Sequence, residues 1–132
     1  MEFKKNQSIY LQIADHICEN IMTKLWPEEE KVTSVRELAS TIEVNPNTVM
    51  RTYTHLQEAG IIHNKRGIGY FVSPGASEKI RNMRKQEFLE TEIPALIKKM
   101  QLLGITPEEL KELISNHNSK KTQTTQQNEN VQ

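Results

Sequence analysis

Only one cysteine, Cys18, stands in the 132 residues, so no internal disulfide can form. A reducing cytoplasm is the expected compartment. No apolar run approaches the ~20 residues of a membrane-spanning helix, and MEFKKNQS leads into no signal-peptide core; no membrane partner is expected. Aromatic residues make up 5% and hydrophobic residues 36%, enough for a modest core but not for a large pocketed enzyme. Net charge is missing as well, with 17 Lys/Arg against 17 Asp/Glu. That balance hides an uneven distribution. Between Ile61 and Lys85 stand Lys65, Arg66, Lys79, Arg81, Arg84 and Lys85 against Glu78 alone, while acids gather at Glu28–Glu30 and between Glu87 and Glu112. A basic segment of this kind is either a solvated face or a nucleic-acid contact. No nucleophile motif or metal-ligand cluster accompanies it. His16 and Cys18 lie two apart on a helix and diverge by about 200°, and His55 and His63 either meet in space or, the simpler reading, are surface histidines. No catalysis, cofactor or metal is expected.

What is present is punctuation. In "VNPNTVMRTYTHLQEAG", Asn45 is a favoured N-cap and Pro46 falls at the first helical position, where its missing N–H costs nothing. Gly60 closes the helix, which spans about Pro46 to Ala59. Upstream, Ser8 can cap a helix running to about Leu25, with Tyr10, Ile13, Ala14, Ile17 and Ile21 as its apolar stripe. Trp26-Pro27 stops it and an acidic loop follows. Ser34 and Glu37 then have capping-box spacing ahead of a short helix with Val35, Leu38, Ala39 and Ile42 inward. After Gly60, "IIHNKRGIGYFVS" reads as a β-hairpin. A long helical stretch, roughly Ser77 to Leu103, is kinked or divided by Pro94. Gly104 ends it, and Thr106-Pro107-Glu108-Glu109 starts a last helix that fades near His117.

Three helices and a hairpin, the second and third helices joined by a short turn, predict a winged helix-turn-helix: mostly α with one small hairpin. At about 100° per residue, Val49, Tyr53 and Leu56 share the inner face of the third helix. Asn47, Arg51 and Thr54 point away from it, with Met50 on the flank. Such a small, polar face with one cation suits a major groove, where Arg51 can reach guanine or phosphate and Asn47 a base edge. Lys65 and Arg66 occupy the hairpin tip, and Gly67 and Gly69 let it turn, which suits the edge of a minor groove. The string GIG lies within the hairpin and is no phosphate loop.

Residues Ile21 to Val72 resemble the GntR family of bacterial transcription regulators through VTSVRELA, NPNTVMRTY and RGIGYFV. NPNTV-x-R-x-Y with a short helical tail is most similar to the YtrA-type subfamily. The resemblance implies DNA contact at or beside Ser34, Arg36, Asn45, Asn47, Thr48, Arg51, Arg66 and Gly67, and Lys65 joins them as a cation at the wing tip. The family usually has glycines where this chain has Lys24 and Glu29, a proline where it has Thr33, and in other branches a basic residue where it has Met50.

The expected organisation is a DNA-binding domain at 1–76, a helical dimerisation region at 77–117 and a disordered polar tail at 118–132. Two helices cannot enclose a ligand cavity alone, but their apolar stripe can pair with a second copy. A homodimer on palindromic double-stranded DNA, acting as a repressor and, by the subfamily resemblance, on transporter genes, is the function so expected. No effector is identifiable. The alternative is a winged-helix module used only for protein–protein contact, separable by the salt dependence of duplex binding.

Overall fold

The computed structural model describes the backbone of residues 1–130 and the side chains of residues 1–121. Helix α1 (Ile9–Met22) carries the expected stripe inward, with Ile13, Ile17 and Ile21 fully buried. Its start is secured differently from expectation. Ser8 holds the N-cap position but its hydroxyl makes no capping bond. Instead the largely exposed arm before it is pinned by Gln12, whose Oε1 accepts from Lys4 N at 2.7 Å and whose Nε2 donates to the carbonyls of Lys4 and Gln7 at 2.8 and 3.0 Å. The helix also ends before Leu25. Thr23 folds back on Glu19 O through both its N–H and its hydroxyl, and Lys24 turns the chain at φ +64°.

Helices α2 (Val35–Ile42) and α3 (Pro46–Glu58) follow as the capping residues predict. Ser34 Oγ accepts from Glu37 N at 3.1 Å, and Asn45 Oδ1 accepts from Asn47 N at 2.8 Å. Between them Glu43 adopts a left-handed conformation, and Val44 N donates to Ala39 O at 3.0 Å, closing α2 in a single tight turn.

Strands β1 (Ile62–Lys65) and β2 (Gly69–Val72) pair antiparallel, with Ile62 opposite Val72 and Lys65 opposite Gly69. The acidic loop is not free. Glu29 N donates to Val72 O, Val72 N to Glu30 O and Val32 N to Tyr70 O, at 2.8, 3.1 and 2.9 Å, so residues 29–32 line the outer edge of β2. Glu28 then accepts from the backbone N–H groups of Gly75 and Ser77 at 3.1 and 3.2 Å, placing a negative charge at the start of α4 (Ala76–Glu87).

The chain divides into two compact units, one spanning Met1–Gln86 and the other beginning at Glu87. The first therefore reaches past the 76/77 boundary expected from sequence, because Ala76 and Ile80 are buried in its core and Arg84 donates to Asp15 O at 3.0 Å. In the second unit, Phe88–Glu92 form a π-helical turn, followed by α5 (Ile93–Leu103) and α6 (Pro107–Asn130). Pro94 thus divides the predicted long helix without a loop. Proline lacks an N–H to donate and its ring collides with the carbonyl four residues back, so the turn ahead of it widens. Gly104 ends α5 at φ +70°, and Thr106 Oγ1 accepts from Glu109 N at 3.2 Å to start α6. Helix α6 runs past the expected end at His117, since no glycine or proline interrupts 108–132. The disorder expected for 118–132 falls partly, at 131–132, outside the described residues.

Candidate nucleic-acid interface

Helix α3 is held from three sides. Val49, Tyr53 and Leu56 are buried as the wheel predicts, at 0%, 0% and 1% exposure. Thr52, unremarked in the sequence, is buried as deeply; its hydroxyl donates to Tyr10 O at 2.8 Å and locks α3 to α1. The Tyr53 hydroxyl donates to Thr33 O, fixing the residue ahead of the α2 cap. Burial pushes the Tyr53 phenol well above its usual range, and Tyr70 and Glu37 add to the shift. On the other flank, the Tyr53 ring meets Tyr70 of β2 edge-on at 5.1 Å. The Tyr70 hydroxyl in turn points at Met50 Sδ at 3.9 Å, so the hairpin is braced against the recognition helix. A buried phenol with a satisfied hydroxyl and a T-shaped ring partner orders three elements at once.

On the free side, Asn45, Asn47, Met50, Arg51 and Thr54 of the α3 region are exposed and Thr48 is half-buried. Ser34 and Arg36 are exposed at the start of α2, and Lys65, Arg66 and Gly67 at the hairpin tip. Ser34 and Asn45 already spend side-chain oxygens on capping bonds, so their first task is to fix the helix starts. Arg51 lies over the Tyr10 ring, 4.0 Å from its centroid, and the ring edge of His55 also meets Tyr10, at 6.0 Å. Lys65 lies over Phe71 at 4.2 Å, and His63 stacks beside the same ring while pairing with Ser73 Oγ at 3.1 Å. The two histidines thus have separate partners. Gly67 sits at φ +80° with nothing within 4 Å of an added Cβ, so the turn, not close approach, requires it.

Among the described residues no group of three or more His, Cys, Asp or Glu side chains could hold a metal ion. No described helix is long and apolar enough to cross a membrane. Cys18 is buried, and desolvation pushes its thiol up to about 11, against the opposing charge of Arg84.

A capped α2, a one-residue left-handed turn, a polar α3 and a basic two-stranded hairpin braced on α3 define a winged helix-turn-helix protein, a DNA-binding class. The chain belongs to the GntR family: residues 9–72 match the model described as "Bacterial regulatory proteins, gntR family". It is similar to the HTH-type transcriptional regulator YhcF of Bacillus subtilis (strain 168), 37% identical over 113 residues, 84% of this chain and 90% of that protein. It is also similar to the HTH-type transcriptional repressor YtrA of the same organism, 32% identical over 111 residues, 84% of this chain and 85% of that one. The crystal structure of a GntR-family regulator from Bacteroides thetaiotaomicron superposes with a TM-score of 0.79 at 44% identity, covering 86% of this chain and 99% of that one. The protein is therefore a YtrA-type transcriptional regulator, with DNA binding as the family's activity, and not an enzyme.

Proposed function

We propose that the protein is a homodimeric repressor that binds a palindromic operator through Arg36, Asn47, Thr48, Arg51 and the wing-tip residues Lys65, Arg66 and Gly67, with Ser34 and Asn45 beside them. The observation that carries this is the shared exposure of those groups around a recognition helix whose other faces are all engaged. Arg51 supplies a bidentate donor set suited to guanine, Asn47 an amide suited to adenine, and the tip cations suit phosphate. Repression is supported by the name of the relative YtrA, and transporter genes as targets by the subfamily resemblance. Dimerisation is supported by the apolar side chains left in water on the second unit. Leu102 and Leu103 are 76% and 73% exposed, and Phe88, Leu89, Leu96, Ile97, Leu113 and Ile114 are exposed beside them. Duplexes selected from a random library by the full-length protein provide the test. A palindromic consensus bound with steep salt dependence is the expected result. Failure to enrich any sequence, with weak salt-insensitive binding, identifies a protein–protein module instead.

A further inference from the structure

Helix α1 is ordinarily a scaffold in this fold, yet its first turn holds the one cation of the recognition face. We infer that Tyr10 is a positioning residue for DNA reading, holding Arg51 in the pose from which it meets the duplex. Three contacts build the arrangement. Thr52 Oγ1, fully buried, donates to Tyr10 O at 2.8 Å and fixes the backbone of α1 against α3 one residue from Arg51. The Arg51 guanidinium carbon lies 4.0 Å from the Tyr10 ring centroid. The ring of His55, one helical turn further along α3, meets Tyr10 edge-on at 82° and limits its swing.

The chemistry of the contact decides its consequence. An arginine held by a carboxylate spends its N–H groups on that partner and must give them up to read a base. An aromatic ring attracts the cation through its quadrupole and accepts no conventional hydrogen bond, so the donors stay available. Among the described residues the Arg51 guanidinium donates no hydrogen bond to the protein. It faces the open groove lined by Ser8, Ile9, Tyr10, Asn47, Thr48 and Arg51, where the first turns of α1 and α3 converge. Ordering a long side chain before binding removes part of the entropy that complex formation otherwise costs. Tyr10 therefore raises affinity without touching DNA.

This rests on the proposed contact of Arg51 with DNA, and a double-mutant cycle keeps the two apart. Tyr10→Leu, Tyr10→Phe, Arg51→Ala and the Tyr10→Leu/Arg51→Ala pair are titrated against a duplex selected by the wild-type protein and against a scrambled duplex of equal length. Expected are a two- to fivefold loss for Tyr10→Leu on the selected duplex, matching the strength of an exposed cation–π pair, and near-complete rescue by Tyr10→Phe. In the Arg51→Ala background, Tyr10→Leu costs nothing further. An equal loss in both backgrounds assigns Tyr10 a merely structural role and overturns the inference, as does tighter binding by Tyr10→Leu, which would mean that the ring sequesters Arg51. Unchanged binding by Arg51→Ala removes the DNA contact itself, and the inference falls with it.

Discussion

Lys24, Glu29 and Glu43 are non-glycine residues at φ +64°, +65° and +57°. An L-residue there strains against its own backbone by roughly 1–2 kcal/mol, and glycine recovers that at an entropic cost of about 0.5–1 kcal/mol. Lys24→Gly and Glu29→Gly should each stabilise the chain by about 0.5–1 kcal/mol in denaturant melts, since each keeps the backbone bonds it makes. The loop they flank is nevertheless ordered, through the pairing of residues 29–32 with β2 and the Tyr53 bond to Thr33. Tyr53 and Cys18 set an alkaline limit. Both ionise at higher pH folded than unfolded, so folding is fully supported below pH 9.0, where the unfolded thiol is protonated, and loses support as pH climbs towards about 11. Urea midpoints flat from pH 7 to 8.5 and falling above 9 are expected; a midpoint that rises in that range refutes the burial of these groups. Arg51→Ala should weaken binding to a selected duplex by roughly 1–3 kcal/mol if the side chain pairs with a base, and lower the salt slope by about one if it meets phosphate alone.

At the level of elements, the local signals were readable and the long-range ones were not. Asn45-Pro46, Ser34 with Glu37, and Thr106 with Glu109 each announced a helix start, because capping is a bond between neighbours in sequence. Thr52, Gln12 and Glu28 carried no such signal. Their partners are backbone groups of other segments, and periodicity records only which way a residue faces. The start of the expected dimerisation region at 77 was misplaced for a related reason: Ile80 lies within it in sequence but packs on the winged core. The candidate site was legible as a polar face and a basic tip, while the ring beneath Arg51 looked only like one more core residue. The hairpin tip allows a direct check. Gly67→Val forces a β-branched residue to φ +80° in open space, so it should distort the tip and weaken DNA binding more than it lowers the melting temperature. Gly67→Asn, which tolerates that conformation, should bind normally.

For the whole molecule, the division at Gln86 sets where the chain can be cut. Ending it after Gln86 keeps Ile80 in the core and should leave a folded monomer that binds half a site weakly, because the second site's effective concentration is lost. Ending it after Ala76 removes Ile80 and Arg84, and by analogy with emptying a buried isoleucine site should cost about 2–5 kcal/mol. Sedimentation of the full-length protein at micromolar concentration should give a dimer. A monomer there rejects the proposed assembly, and a dimer of the shorter chain moves the interface to the winged unit.

The three left-handed positions also carry a genetic consequence. Every glutamate codon becomes a glycine codon by one base change, whereas a lysine codon needs two. In a strain reporting DNA binding through a chain weakened by Ile80→Val, a loss of about 0.5–1.5 kcal/mol, second-site suppressors to glycine should therefore arise at Glu29, while Lys24, under the same backbone strain, stays out of reach of a single mutation.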